Sequence, residues 1–113
     1  VFRGNNIKNI LNESCISYGS SLNGRIKGSK WALKSKYKLP IVVSEKEKLV
    51  FFPVKEMGRE IWVNFDMIKE VKKNKNVVKV EFKNGLKVDI NVSYTIFNNQ
   101  VLKASRLWII FLT

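Results

Sequence analysis

The side chains best suited to chemistry in this sequence are cationic. Arg25, Lys27, Lys30, Lys34, Lys36 and Lys38 follow one another with no Asp or Glu between Ser14 and Ser44. Such a run suits contact with phosphate, because each ammonium or guanidinium can displace a condensed counterion from a polyanion. Arg25 is also the best candidate for insertion into a groove of duplex DNA, since a narrow minor groove concentrates negative potential. The competing reading is a solvated lysine face. A second run, Lys69, Lys72, Lys73, Lys75, Lys79, Lys83 and Lys87, is interrupted by Glu70 and Glu81. Lys72, Lys73 and Lys75 are its secondary candidates for DNA contact, and turn or strand solubility is the simpler account of them.

Residue types exclude much else. The sequence has no His, which removes Ser-His-Asp and Cys-His nucleophile systems and His-ligated metals. Cys15 is the single cysteine, so an internal disulfide, a Cys-based zinc site and a redox pair are excluded. It is expected to be a buried small hydrophobe. The 9 carboxylates show no paired spacing suited to acid/base work. Gly19-Ser20-Ser21-Leu22-Asn23-Gly24-Arg25-Ile26 nearly spells a phosphate-binding P-loop, with 15–18 as a candidate preceding strand. However, Arg25 and Ile26 occupy the positions where that loop needs Lys and Ser or Thr. No enzyme, no cofactor and no metal are expected.

The formal net charge is +12 over 113 residues, with a pI of about 10.0. Heavy use of Asn and Ile beside Lys marks an AT-rich coding bias, so part of the lysine excess carries no function. The remainder still favours a polyanionic partner: nucleic acid first, then an anionic membrane surface or an acidic protein. No apolar stretch approaches the ~20 residues of a membrane span, and no signal segment opens the chain. A cytoplasmic protein is expected. The start at Val1 and the apolar run from Leu107 to Leu112 suggest one domain, residues 1–113, taken from a longer protein.

The elements that must position these residues follow from periodicity. Residues 1–14 are ambiguous between helix and strand. In residues 20–35, Leu22, Ile26, Ser29 and Leu33 fall on one face of a helix, with Ser20 or Ser21 as N-cap. Gly24 and Gly28 weaken that helix by up to ~1 kcal/mol each relative to Ala. Lys27, Lys30 and Lys34 form a stripe beside its apolar face. After Pro40 the period becomes two, giving short strands at 41–43, 49–52, 61–65 and 68–71. The segment 77–92 is a hairpin. Parity selects a three-residue Lys83-Asn84-Gly85 loop with Gly85 left-handed, pairing Phe82 with Leu86, Glu81 with Lys87 and Lys79 with Asp89. A final helix runs from about Tyr94 to Trp108, capped by Ser93, with Phe97, Val101, Ala104 and Trp108 on its buried face. Trp31 and Trp62 are expected in the core, as are Val80, Val88 and Ile90. The fold class is α+β: short antiparallel strands in a curved sheet or partial barrel, one helix before the sheet and one C-terminal helix. A PH-like arrangement is one concrete form.

One further observation is a resemblance. The order Cys15-x-x-Tyr18-Gly19-Ser20-Ser21-x-x-Gly24-Arg25, Pro40-Ile41, Phe51-Phe52-Pro53, Ile61-Trp62, Phe82-x-Asn84-Gly85, Val92-Ser93-Tyr94 and Asn99-Gln100-Val101 resembles the competence transcription factor family (ComK) over nearly the whole chain. The resemblance implies an activator of natural genetic competence in Gram-positive bacteria. It implies binding to paired AT-rich boxes of double-stranded DNA through the minor groove, by self-associated subunits that help RNA polymerase at DNA-uptake promoters. It also implies an adaptor and protease acting through a C-terminal tail that lies outside this chain, and no membrane partner. A PH-like module for anionic lipid or an acidic protein is the alternative. A LytTR-type regulator is a further one, although its Arg/His-bearing motif would need the His that is absent here.

Overall fold

The computed structural model describes residues 7–35 and 37–112. Its elements are α1 (Ile7–Ser17), α2 (Leu22–Leu33), β1 (Ile41–Ser44), β2 (Leu49–Glu56), β3 (Arg59–Asn64), a 3-10 turn (Phe65–Met67), β4 (Ile68–Asn74), β5 (Val77–Phe82), β6 (Lys87–Ile90) and α3 (Tyr94–Leu112). The strands form two antiparallel three-stranded sheets, β1-β2-β3 and β4-β5-β6.

The expected α+β class, with a helix before the strands and one at the C-terminus, is what the molecule adopts. The single curved sheet and the partial barrel are not. The reason lies in β1 and β2. Ile41, Val42, Val43 and Ser44 are all buried, and so are Val50, Phe51, Phe52, Pro53 and Val54. A strand buried on consecutive residues must be covered on both faces. One face of the first sheet, carrying Ile41, Val43, Phe51 and Trp62, packs on Ile7, Leu11, Cys15 and Leu22 of the two N-terminal helices. The other, carrying Val42, Phe52, Val54 and Val63, packs on Phe97, Ala104 and Leu107 of α3 and on Val78 and Val80 of the second sheet. Phe52 and Phe97 meet edge to face at 5.4 Å.

Of the segment left ambiguous by sequence, residues 7–14 fall in α1, since Ile7, Leu11 and Cys15 repeat every four residues and bury together, and residues 1–6 lie outside the described residues. There are thus two helices before the sheets rather than one. The candidate strand over 15–18 is instead the end of α1 and the start of its turn.

The hairpin follows the parity argument. Glu81 lies opposite Lys87, Val80 opposite Val88 and Lys79 opposite Asp89. The Phe82 amide donates to the Leu86 carbonyl at 2.8 Å, and Gly85 has φ of +88°. Leu86 nevertheless does not share Phe82's burial: Phe82 is 4% exposed and Leu86 54%. Leu86 lies one residue before β6, with its amide taken by the Asn84 Oδ1 at 3.0 Å. Pairing sets register, while cover by neighbouring elements sets burial. Val88, Ile26 and Val101 are likewise half-buried rather than buried. Helix α3 starts where expected, with the Ser93 Oγ accepting from the Ile96 amide, and runs on to Leu112. Trp108 and Phe111 rest against the core, and the Trp108 ring lies 6.0 Å from that of Phe65.

Candidate nucleic-acid interface

Helix α2 carries most of the basic run. Its start is built locally: the Ser21 Oγ accepts from the Gly24 amide, and the Asn12 side chain of α1 accepts from the Leu22 amide at 3.0 Å. Gly19, with φ of +83°, turns the chain from α1 into α2. This four-residue connection between successive helices takes the place of the P-loop-like geometry. Leu22, Ser29 and Leu33 are buried, with Ile26 half-buried, so Lys27 and Lys30 face outward and are exposed. Lys34 is the C-cap in left-handed conformation, φ 52°, and is exposed. Among the described residues, Lys27, Lys30 and Lys34 have no ion-pair partner. Lys36 lies outside the described residues.

Arg25 behaves differently from the lysines. Its Nε donates to the Ser20 Oγ at 3.0 Å and its guanidinium pairs with Glu45 at 3.1 Å. These contacts fasten the α1–α2 turn to the end of β1. Insertion of Arg25 into a groove would require them to break. An ion pair this open to solvent contributes about 0–1 kcal/mol, so the tie orients the side chain more than it locks it. Cys15, buried beneath this turn, has its thiol pKa raised by burial, against the lowering effect of the nearby Arg25 charge and the Ser20 hydrogen bond.

Lys38 is exposed and left-handed, φ 48°, and sits where two grooves meet. One, about 300 Å³, is lined by Lys8, Lys30 and Lys38 around Trp62 and Glu60. The other, about 400 Å³, is lined by Lys38, Lys103 and Arg106 with Asn99 and Gln100. The structure thus adds Lys8, Lys103 and Arg106 to the basic surface. Sequence reading missed them because they are isolated charges on other helices. The available signal was Asn99, Lys103 and Arg106 at i, i+4 and i+7, a polar stripe on a mostly apolar helix. Gln100 was also missed as a structural residue. Buried, it donates to the Lys38 carbonyl at 2.9 Å and the Pro53 carbonyl at 2.7 Å, setting the Lys38 loop.

The second basic run is laid out as a charge ladder. Lys72 pairs with Glu70 at 3.8 Å, Lys69 with Glu81 at 3.7 Å and Lys83 with Asp66 at 4.0 Å. Lys73 and Lys75 are exposed, Lys75 in the β4–β5 turn with φ 54°. Alternating signs leave this sheet face far less attractive to a polyanion than α2. The expectation that Trp31 lies in the core is wrong: it is 75% exposed, while Trp62 is buried. Trp31 lies opposite the Leu22–Leu33 face of α2, so the helical period that buries those residues turns it to solvent.

The sequence profile of the family described as ComK protein matches residues 2–112. The chain belongs to the ComK family. This ComK-family chain is 32% identical, over 101 residues, to the protein named Competence transcription factor of Bacillus subtilis (strain 168), covering 87% of this chain and 53% of that one. It therefore spans about half the length of that relative. No solved structure matches it. Among the described residues of this ComK-family chain, no group of three or more His, Cys, Asp or Glu could hold a metal ion. No described helix is long and apolar enough to cross a membrane.

Proposed function

We propose that this chain is the DNA-contacting part of a competence transcriptional activator, with the outward face of α2 laid against duplex DNA. The observation that carries this reading is the set of exposed Lys27, Lys30 and Lys34, which have no ion-pair partner among the described residues, on a segment without an acid. The name of the relative and the family membership support the regulatory part. Lys8 and Lys38 extend the basic surface along the groove beside α2, and Lys38, Lys103 and Arg106 continue it along a groove on α3. Phosphate contacts supply affinity and orientation without reading sequence. Preference for AT-rich boxes then arises from the narrow minor groove, whose potential favours inserted cations. Self-association on paired boxes and recruitment of RNA polymerase belong to the same reading.

Titrations of AT-rich and GC-rich duplexes at several salt concentrations test it. Each of Lys27→Ala and Lys30→Ala is expected to weaken both duplexes about equally and to lower the salt slope by roughly one. Wild-type affinity and slope in both folded variants would overturn the α2 assignment and move the interface to Lys72, Lys73 and Lys75.

A further inference from the structure

Trp31 is the least expected feature of α2. A tryptophan is mostly buried in folded proteins because its ring carries a large apolar area. Here the ring is 75% exposed on the face opposite the core. Lys27 lies one helical turn before it and Lys34 follows at i+3, both on one flank of the ring, while Lys30 lines the groove toward Trp62. Gly28, at i−3, leaves the backbone bare beside the ring, since a helical side chain leans over the turn N-terminal to it. A methyl group at Gly28 would meet no atom within 4 Å, so packing inside the chain does not require a glycine there. Yet glycine weakens a helix by up to ~1 kcal/mol relative to alanine.

An apolar ring flanked along one side by Lys27 and Lys34 suits a partner that sets anionic groups beside an apolar surface. A second copy of this face does not fit. A two-fold contact through Trp31 would set the lysines of one copy against those of the other. Duplex DNA does fit: phosphates would take the lysines, and the ring would lie against sugars and base edges or wedge at a base step.

We propose that Trp31 is a direct, uncharged DNA contact of α2, and that Gly28 is kept small so the duplex backbone can approach the helix beside it. This rests on the reading of α2 as the DNA-facing element, and three measurements keep the two separable. Acrylamide quenching of tryptophan fluorescence follows the ring directly, because Trp62 is buried and Trp108 half-buried. Saturating AT-rich duplex is expected to shield the exposed tryptophan. Trp31→Ala is expected to bind on the order of tenfold more weakly with an unchanged salt slope, since no charge is removed. Gly28→Ala is expected to raise the melting temperature while weakening DNA binding, opposite directions that a purely structural role does not produce.

If Lys27→Ala and Lys30→Ala weaken binding but Trp31→Ala does not, the Trp31 proposal fails and the α2 reading stands. If Lys27→Ala and Lys30→Ala keep wild-type affinity and slope, the α2 reading itself fails and the Trp31 proposal with it. Shielding that depends on protein concentration without DNA would assign the ring to a second copy and overturn the proposal.

Discussion

Gln100→Leu isolates a buried polar tie that joins three elements. The Gln100 amide donates to Pro53 in β2 and to Lys38 in the loop before β1. β1 pairs no further than Ile41 opposite Phe51, so Pro53 lies past its end. On that stretch the proline's missing N–H deprives no ladder, and its carbonyl is served by α3 instead. Leucine preserves most of the side-chain volume and removes both donors. Stranding the buried Pro53 carbonyl costs about 1–3 kcal/mol, and the part-exposed Lys38 carbonyl, which water can reach, loses about 0.5–1.5 kcal/mol. The expected loss is therefore about 2–4 kcal/mol. At roughly 4 °C per kcal/mol for a domain of this size, the melting temperature falls by roughly 8–16 °C. Urea unfolding followed by circular dichroism measures it, and the slope with denaturant should not change, because the folded surface is the same. A loss below about 0.5 kcal/mol would show that the two carbonyls find other partners and would refute the reasoning.

Gly85→Ala should destabilise the chain by about 1–2 kcal/mol through backbone strain alone, because the residue has φ of +88° and an added Cβ meets nothing within 4 Å; unchanged urea stability would refute the strain argument. Burial raises the Cys15 thiol pKa, so the folded state holds the neutral thiol more tightly than the unfolded chain does. That contribution is complete below the unfolded thiol pKa and is lost as pH rises toward the folded one. Wild type should lose stability relative to Cys15→Ala above about pH 8.5, and parallel pH profiles for the two proteins would contradict this.

The local code of this chain was legible without coordinates. Ser21 and Ser93 cap α2 and α3 because a hydroxyl before an apolar-periodic run satisfies an orphan amide wherever the helix later packs. The β5–β6 register followed from parity, since a one-residue slip would set apolar against charged side chains. The absence of His and the single Cys bounded the chemistry from composition alone. Tertiary structure decided what depends on neighbours distant in sequence. Two sheets form rather than one because β1 and β2 are apolar on both faces and need two covers, which α1 with α2 and α3 with the second sheet supply. Trp31 and Trp62 are the same residue type with opposite fates, because one lies on the solvent side of its helix and the other beneath two helices. Arg25 and Lys30 belong to one basic run, yet only Arg25 finds an acid, because folding brings Glu45 beside it. Charge along a chain is a local property, whereas whether that charge stays available to a partner is set by which carboxylates the fold carries to it.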